Sequence, residues 1–274
     1  MQGRAVCEDK AICLGHPSYV WGFGQERRLE LIRSYVRLED RAILDVGCGL
    51  GMYVRAFRRY SQNVHGVDID ADKVAEASRE LPNIQVAPAE VLPYPSGTFD
   101  VVLLHEVIEH VTNDRQAIAE AVRVLREPVP AESTVVSPGA RVPTPGGRLV
   151  LFAPNRLYPF ETHGAYWRGR YHFGNVPLVN YLPARLRARF CPHVRAYTVR
   201  DMRRLLAGQP VRIVIHTQIY PGYDKLVRRL HFLGRLSRAI TYLLEHTPLR
   251  ILGLSHFLVA EKTRSQSPIP DSVS

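Results

Sequence analysis

A glycine-rich segment of this 274-residue chain combines residue types suited to holding a nucleotide-like ligand. It reads Asp-Val-Gly-Cys-Gly-Leu-Gly over residues 45–51 and directly follows a short apolar stretch. Glycines permit a tight turn and a close approach of the ligand to the backbone. The free N–H groups of a helix that starts there point into the same space. The segment therefore predicts a ligand site where a buried strand passes into a helix.

Two acidic residues indicate which ligand this turn accepts. A dinucleotide-binding turn would read GxGxxG, whereas this one reads GxGxG with Asp45 two residues before the first glycine. Asp45 would repel a pyrophosphate but favours a ligand with an ammonium and a sulfonium group. Asp68 lies 17 residues after Gly51, at the end of the next predicted strand, where a carboxylate can accept the hydroxyls of a ribose. Together they predict S-adenosylmethionine as the ligand.

The elements that must position these residues alternate between apolar runs and amphipathic stretches. Candidate strands cover residues 42–46, 63–68, 99–104, 148–153, 211–220 and 256–262. Candidate helices cover residues 52–60, 71–81, 114–126 and a stretch from Thr198 to about Ala207 that Thr198 and Asp201 would cap. Apolar runs without alternation are typical of strands buried on both faces. The order predicts an α/β fold with a parallel sheet.

These motifs resemble the class I S-adenosylmethionine-dependent methyltransferases, specifically the ubiquinone-biosynthesis O-methyltransferase branch. The resemblance covers about residues 40–155, through ILDVGCGLG (43–51), VDID (67–70), AEVLPYPSGTFDVV (89–102), EVIEHV (106–111) and GGRLVLFAPN (146–155). It implies a three-layer Rossmann-like α/β fold. The sheet would have seven mostly parallel strands with an antiparallel last strand, and helical insertions would lie on the substrate side.

The resemblance also implies where the cofactor lies. The glycine turn would contact its methionine part, the acid after the second strand its ribose, and the segment after residue 88 its adenine. The expected cofactor-binding residues are Asp45, Gly47, Cys48, Gly49, Gly51, Asp68, Ile69, Ala89, Glu90 and His105. Pro88 stands where this family usually has an aspartate that accepts from the adenine amino group. Glu90 or a backbone carbonyl would have to accept instead.

A second motif suggests a divalent cation such as magnesium. Glu106-Val-Ile-Glu109-His110 resembles the E-x-x-E-H pattern that binds a cation in some ubiquinone-type methyltransferases. Glu106 and His110 are one helical turn apart and could share the ion. The alternative is that Glu109 and His110 only orient the local backbone. Glu106, Glu109 and His110 are the candidate metal ligands.

The segment after the strand at 148–153 supplies the candidate base. Ligands of open α/β sheets bind at the carboxyl ends of the strands, and polar and aromatic residues are concentrated there. The His163 imidazole can accept a proton near neutral pH, and Glu161 could orient it. His105 is a further catalytic candidate beside the methyl group, while Tyr171 and His172 are weaker ones.

Charge divides the chain into two unequal halves. Residues 1–150 hold 17 Lys+Arg and 20 Asp+Glu, a net charge of −3, and residues 151–274 hold 19 and 6, a net charge of +13. A basic amphipathic helix is predicted over residues 223–246, and it could lie on anionic lipid, cover a substrate cleft or pack on the chain's own sheet. A solvated arginine-rich surface without a partner is the alternative reading of the charge.

The chain is predicted to form one principal domain with additions. These are an N-terminal helical extension (1–38), the methyltransferase domain (39–263), a Pro-rich inserted loop (127–147), a substrate-side insertion (156–197), the basic helix (223–246) and a flexible tail (264–274). The N-terminal residues lack the apolar run of a signal peptide. We expect a cytoplasmic protein, which would be peripheral at the inner membrane face if the basic helix binds lipid.

Three functions compete. The first is O-methylation of a small-molecule, glycan or lipid-linked acceptor. The second is methylation of nucleic acid, which the basic half suggests. Residues 104–111 read LHEVIEHV, whereas amino-methylating nucleic-acid enzymes that resemble this fold usually have N/D-P-P-aromatic there, so the sequence disfavours this second function. The third is a catalytically silent scaffold that binds the cofactor.

Overall fold

The computed structural model describes residues 21–129 and 145–264, together with the backbone of residues 135–137 and 140–141. The predicted tail from residue 265 onward, the first twenty residues of the predicted N-terminal extension and residues 130–134, 138–139 and 142–144 of the Pro-rich loop lie outside the described residues. No helix in the described part of the chain is long and apolar enough to cross a membrane.

A seven-stranded sheet forms the centre of the molecule. Its strands are β1 (Ile43–Val46), β2 (Val64–Asp68), β3 (Ile84–Val86), β4 (Val101–His105), β7 (Arg148–Pro154), β12 (Val211–Ile219) and β13 (Ser255–Lys262). They lie in the order β12-β13-β7-β4-β1-β2-β3. Only β13 runs antiparallel to its two neighbours. The predicted fold class, with its antiparallel last strand, is confirmed.

Six shorter strands form three small two-stranded sheets. They are β5 (Val135–Ser137) with β6 (Ala140–Arg141), β8 (Phe160–Glu161) with β11 (Val176–Pro177), and β9 (Ala165–Trp167) with β10 (Arg170–His172). The last two pairs lie in the insertion after β7. Strands of two or three residues are too short to show a periodic apolar pattern, so the sequence did not predict them.

Eight helices are described. They are α1 (Phe23–Tyr35), α2 (Met52–Phe57), α3 (Ala71–Ala77), α4 (Asp114–Val124), α5 (Ala184–Phe190), α6 (Val199–Leu206), α7 (Asp224–Arg229) and α8 (His231–Leu244). Short 3₁₀ helices cover Val179–Tyr181 and Pro248–Leu252. Thr198 and Asp201 form the predicted cap of α6. The stretch at 223–246 is two helices, because the chain leaves helical geometry at Leu230.

Apolar residues on the two faces of the sheet pack against different helices. Alternate residues of β1 point to opposite faces, so that Leu44 joins a cluster with α4 and α6 whereas Ile43 joins a cluster with α1 and α2. Both residues are fully buried. This three-layer arrangement fixes the sheet rigidly, and the carboxyl ends of β1, β2, β4 and β7 meet at one edge.

A buried pair of histidines joins β12 to β13. The Nε2 atom of His216 lies 3.1 Å from Nδ1 of His256, and Nε2 of His256 lies 2.8 Å from the Tyr197 carbonyl oxygen. The carbonyl can only accept, so His256 carries its proton on Nε2 and accepts on Nδ1. Burial and the neighbouring His256 lower the pKa of His216 to about 4. Burial also lowers the pKa of His256.

This pair predicts a loss of stability in mild acid. The pKa of His216 is lower in the folded than in the unfolded chain, so its contribution is present above about pH 6.5 and is lost as the pH falls toward about 4. Because of this pair, the free energy of unfolding measured with urea should fall by about 1–2 kcal/mol between about pH 7 and about pH 4. His216→Gln should flatten that slope, whereas the exposed His246→Gln should leave it unchanged. An equal slope in both variants would contradict the assignment.

Candidate functional site

The glycine segment forms a tight turn between β1 and α2. The N–H groups of Gly47 and Cys48 both donate to the Val67 carbonyl of the neighbouring strand, at 2.7 and 2.9 Å. Gly47, Gly49 and Gly51 adopt left-handed φ angles of 73°, 54° and 76°. Because most side chains disfavour this region, glycine is the favoured residue at each of these positions. The backbone geometry predicted from the sequence is therefore present.

The three glycines have different surroundings. A Cβ atom on Gly47 would lie 2.4 Å from the Val107 side chain, and one on Gly51 would lie 2.3 Å from Leu81. These two glycines permit close packing within the protein. A Cβ atom on Gly49 would meet nothing within 4 Å. Gly49 alone therefore borders open space on its Cβ side, and a ligand can approach the backbone there.

Asp68 ties this turn to the end of β2. Its Oδ2 accepts from the Gly49 N–H and its Oδ1 accepts from the Asp70 N–H, both at 2.8 Å. Each carboxylate oxygen has a second lone pair, so both remain able to accept a hydroxyl. The neighbouring Ile69 has 56% of its side-chain surface exposed. The arrangement suits the ribose role expected of this segment.

Asp45 is buried at the end of β1, and among the described residues no positive charge acts on its carboxylate. Burial and the nearby Asp68 carboxylate raise the pKa of Asp45 well above its ordinary value. Burial likewise raises the pKa of the Cys48 thiol. A ligand that brings an ammonium and a sulfonium would offset the negative charge of Asp45. The residues at this turn therefore fit the charge and the shape of S-adenosylmethionine.

In the segment expected to contact the adenine, one residue is hydrogen-bonded to the backbone of the protein itself. Ala89 is buried, whereas Pro88 is exposed. The Oε1 atom of Glu90 accepts from the backbone N–H groups of Thr112 and Asn113, at 2.8 and 3.2 Å. Glu90 therefore holds the start of α4. Its second carboxylate oxygen stays available to accept from an adenine amino group.

Arg28 of helix α1 reaches the carboxyl end of β4. Its guanidinium lies 2.6 Å from Nε2 of His105, 3.3 Å from Oε1 of Glu106 and 3.1 Å from the Ser255 hydroxyl. The Ser255 hydroxyl also donates to Glu106, at 2.6 Å. Burial alone would raise the pKa of Glu106, but Arg28, His105 and Ser255 lower it to about 2. Arg28 and Glu106 thus form an ion pair at the centre of the strand ends.

This contact determines the protonation state of His105. A guanidinium can only donate, so Nε2 of His105 accepts and the proton is on Nδ1. Burial and Arg28 lower the pKa of His105 to about 3. Its ring also packs against Tyr53 and Phe152. His105 is therefore a neutral residue in the wall of the site, and its acceptor nitrogen is already engaged.

The predicted metal ligands Glu106 and Glu109 have neighbouring side chains but different partners. Glu106 pairs with Arg28, as described, whereas Glu109 and His110 lie beside His163. One ligand atom from each of Glu109, His110 and His163 falls within a cluster less than 4.8 Å across. Glu109 is 1% exposed, and no donor among the described residues reaches either of its carboxylate oxygens. Burial, followed by the charge of Glu106, raises the pKa of Glu109 well above its ordinary value.

The structure brings together His163 and Glu161, the predicted base and the carboxylate predicted to orient it. The Oε1 atom of Glu161 lies 3.0 Å from Nδ1 of His163 and accepts from the His163 backbone N–H at 3.0 Å. The other oxygen of Glu161 forms an ion pair with the buried Arg187 of α5. Burial would raise the pKa of Glu161, but His163 and Arg187 lower it. The ionised carboxylate fixes the His163 ring and leaves Nε2 as the nitrogen that can accept a proton or bind a metal.

An apolar cavity of about 470 Å³ opens within the insertion after β7. Its wall includes Ala165, two residues after His163, and the exposed side chains of Trp167 and Leu178. Tyr171 and His172 belong to the same hairpin, and the Tyr171 hydroxyl donates to the His163 carbonyl. Such a cavity can take the apolar part of a small ligand.

Two arginines that shape the site were not predicted from the sequence. Arg28 lies 77 residues before His105, and Arg187 lies 26 residues after Glu161. The chain has many arginines, and no spacing distinguishes these two from those on the surface. The insertion's high arginine content was the only signal, and it did not indicate a buried ion pair.

Part of the chain that forms this edge of the sheet is similar in sequence to known proteins. Residues 44–128, which include the glycine turn, Asp68, Glu90 and the segment after β4, match the family model described as "Methyltransferase domain". A probable S-adenosylmethionine-dependent methyltransferase of Mycolicibacterium smegmatis is 30% identical over 48% of this chain and 46% of its own length. A ubiquinone biosynthesis O-methyltransferase of Nitrosococcus oceani is 29% identical over 50% of this chain and 55% of its own length.

The chain spans about half the length of these curated relatives. A solved structure with the same fold covers far more of it. The S-adenosylmethionine-dependent methyltransferase from Mesorhizobium loti superposes with a TM-score of 0.58 at 16% identity, over 88% of this chain and 99% of that protein. At 16% identity this likeness concerns the fold, whereas the family model matches residues 44–128.

The buried Glu109 predicts an unusual effect of a neutral substitution. Because its pKa is raised in the folded chain, the wild type loses stability as the pH rises from about 4.3 through the folded pKa. Glu109→Gln removes the ionisable group and should raise the free energy of unfolding by about 1–3 kcal/mol at about pH 8. Urea unfolding should show that this gain vanishes near pH 4. The control is Glu76→Gln, the same substitution at an exposed position. A destabilised Glu109→Gln at both pH values would contradict this account.

Proposed function

We propose that this chain, whose residues 44–128 match the family model described as "Methyltransferase domain", transfers a methyl group to an oxygen atom of a small-molecule or lipid-linked acceptor. The observation that carries the proposal is that a glycine turn open to a ligand follows β1 and an oriented histidine follows β7, two parallel strands of one sheet. The O-methyltransferase among the relatives supports oxygen as the target.

S-adenosylmethionine is the cofactor, as the family match and the relatives' names support. When bound, it supplies a methyl group whose bond to the sulfonium breaks as the bond to the acceptor oxygen forms, and the sulfur keeps the electron pair. The turn at Gly49 receives the methionine part, and Asp45 balances its positive charges. Asp68 accepts from the ribose hydroxyls with its remaining lone pairs.

His163 is the proposed base. Its Nε2 accepts the proton of the acceptor hydroxyl, which makes the oxygen a better nucleophile. Glu161 accepts from Nδ1 and balances the charge of the resulting imidazolium. Arg187 keeps Glu161 ionised, so it acts as a positioning residue. His105 contributes to the wall of the site, because Arg28 already occupies its acceptor nitrogen.

The acceptor is proposed to have an apolar portion. The cavity beside the His163 hairpin is lined by aliphatic and aromatic side chains, including Val176, Val179 and Phe190. An apolar group in this cavity would place a hydroxyl toward the preceding residues of the hairpin. A lipid-linked acceptor satisfies this better than a bare glycan does. Nucleic acid would leave the apolar cavity empty.

A divalent cation is a second ligand that the residues fit. Glu109, His110 and His163 would hold it, and Glu161 would orient His163 as carboxylates do in many metal sites. The ion would stabilise negative charge on the acceptor oxygen. His163 cannot use Nε2 both as a metal ligand and as a base. A chelator therefore distinguishes these roles: activity that survives it supports the base.

Gly49 allows a test of cofactor binding. Gly49→Ala places a methyl group in the open space, so titration calorimetry should show at least about tenfold weaker S-adenosylmethionine binding. Gly97→Ala is the matched control. Gly97 also has a left-handed φ angle and open space around its Cβ, but it lies outside the site. Both variants should lose about 1 kcal/mol of stability. Equal affinity in the two variants would overturn the proposed cofactor position.

His163 provides the test of chemistry. Purified protein is incubated with a radiolabelled methyl donor and a fractionated cell extract, and the label is expected in the lipid fraction. His163→Ala should lower the labelling rate by about 100-fold or more, since a lost general base has effects of this size. The control is His246→Ala, an exposed substitution. Cofactor affinity should stay unchanged in both variants. Labelling that His163→Ala leaves intact would exclude the proposed base, and label in nucleic acid would exclude the acceptor class.

A further inference from the structure

Helix α8 turns an apolar face away from the protein. Its outward apolar face consists of Phe232, Leu233, Leu236, Ile240 and Leu243. The exposed fractions of these side chains range from 45% for Leu236 to 76% for Phe232. Positions 232, 236, 240 and 243 are four, four and three residues apart, so they lie on one side of the helix. Gly234 is the only residue of α8 that is buried.

The opposite side of α8 carries the contacts with the protein, and these contacts are mostly polar. Arg238 donates to the Gly222 carbonyl and lies 3.6 Å from Asp224. Glu245 forms an ion pair with Arg27 of α1 and accepts from the Tyr220 N–H at 2.7 Å. Residues 234, 238, 241 and 245 form this inner stripe. The orientation is thus the reverse of that in an ordinary surface helix, whose apolar side faces the core.

Specific contacts hold α8 in this orientation. The guanidinium of Arg238 stacks on Phe23 at 3.8 Å, and that of Arg27 stacks on Tyr242 at 3.8 Å. Asp224 also accepts from the backbone N–H groups of Phe23 and Gly24, both at 3.0 Å. The outward apolar face is therefore fixed by the structure that supports it. An apolar face held in water in this way marks an interaction surface.

Positive charge surrounds this face. Lys225, Arg228, Arg229, Arg235 and Arg250 are exposed in the segment from α7 to the following 3₁₀ helix. The two acids of the segment, Asp224 and Glu245, are engaged with Arg238 and Arg27. In the described part of the chain, no carboxylate lies within ion-pair distance of Arg228, Arg229 or Arg235. Among the residues that the structure describes, the unpaired charge of this segment is therefore positive.

We infer that the outward apolar face of α8 docks the protein onto an anionic lipid surface. Apolar side chains enter the boundary between headgroups and acyl chains, while the neighbouring cations contact anionic headgroups. A second copy of the chain fits this face less well, because a two-fold interface would bring the unpaired arginines of both copies together. The inference does not depend on methyl transfer.

The docking face is linked to the candidate site through α1. Arg27 pairs with Glu245 of α8, and the next residue, Arg28, contacts His105 and Glu106 at the strand ends. One helix therefore connects the lipid-binding surface with the residues beside the proposed methyl-transfer site. Docking places the site within reach of an acceptor held in the membrane.

Co-sedimentation of the full chain with vesicles tests the inference without any activity measurement. Vesicles of phosphatidylcholine mixed with phosphatidylglycerol are compared with vesicles of phosphatidylcholine alone. We expect strong partitioning onto the mixed vesicles, little onto the neutral ones, and a decrease as salt is added. Equal partitioning onto both, or none onto either, would overturn the proposal.

Substitutions on the exposed face separate the apolar and charged contributions. The double substitution Phe232→Ser with Leu243→Ser should weaken partitioning at least about tenfold. The reason is that it removes apolar side-chain area that would otherwise be transferred from water into the lipid. Arg229→Gln with Arg235→Gln should weaken it about tenfold. Val91→Ser and Arg79→Gln alter exposed residues elsewhere and should partition like the wild type. Unchanged partitioning in either double variant would contradict the docking face.

Light scattering during size-exclusion chromatography identifies the competing occupant. We expect the protein to be a monomer in the absence of lipid. Its far-UV circular dichroism should match that of the double variants, which would show that they are folded. A dimer that Phe232→Ser with Leu243→Ser dissociates would show that this face joins two copies of the chain, and it would overturn the lipid assignment.

Discussion

The carboxylate of Asp68 is the interaction on which the arrangement of the site depends. By accepting from the N–H groups of Gly49 and Asp70, it fastens the glycine turn after β1 to the loop after β2. The left-handed glycines allow the chain to reverse there, but they also leave it with many alternative conformations. Asp68 selects one of them. The open space beside Gly49 belongs to that conformation, whereas Asp45 is buried because it lies in the central strand β1, between β2 and β4.

The sequence predicted the parts of the fold that repeat a physical pattern. Apolar runs located β1, β4 and β7 to within two residues, because central parallel strands are buried on both faces. It missed β3, whose three residues are intermediate or exposed at the edge of the sheet and lack an apolar run. It placed one helix where α7 and α8 form two, since leucine spacing continues through Leu230 although the backbone does not.

The candidate site was predictable only where motifs are local. The glycine turn and Asp68 lie within one strand-helix-strand unit, so their spacing carried the information. The contacts of Arg28 with His105 and of Arg187 with Glu161 depend on tertiary packing, which no short pattern encodes. Consequently Glu106 was grouped with Glu109 and His110, whereas the fold pairs it with Arg28 and brings His163 to the other two.

The position of Cys48 has a consequence for how the protein tolerates oxidants. Its thiol lies between Asp45 and Gly66, in a turn where only 8% of the residue is exposed, and burial favours the protonated sulfur. Peroxides and alkylating reagents attack the thiolate, which is scarce there. The turn can therefore carry a cysteine whose thiol reacts slowly with these reagents.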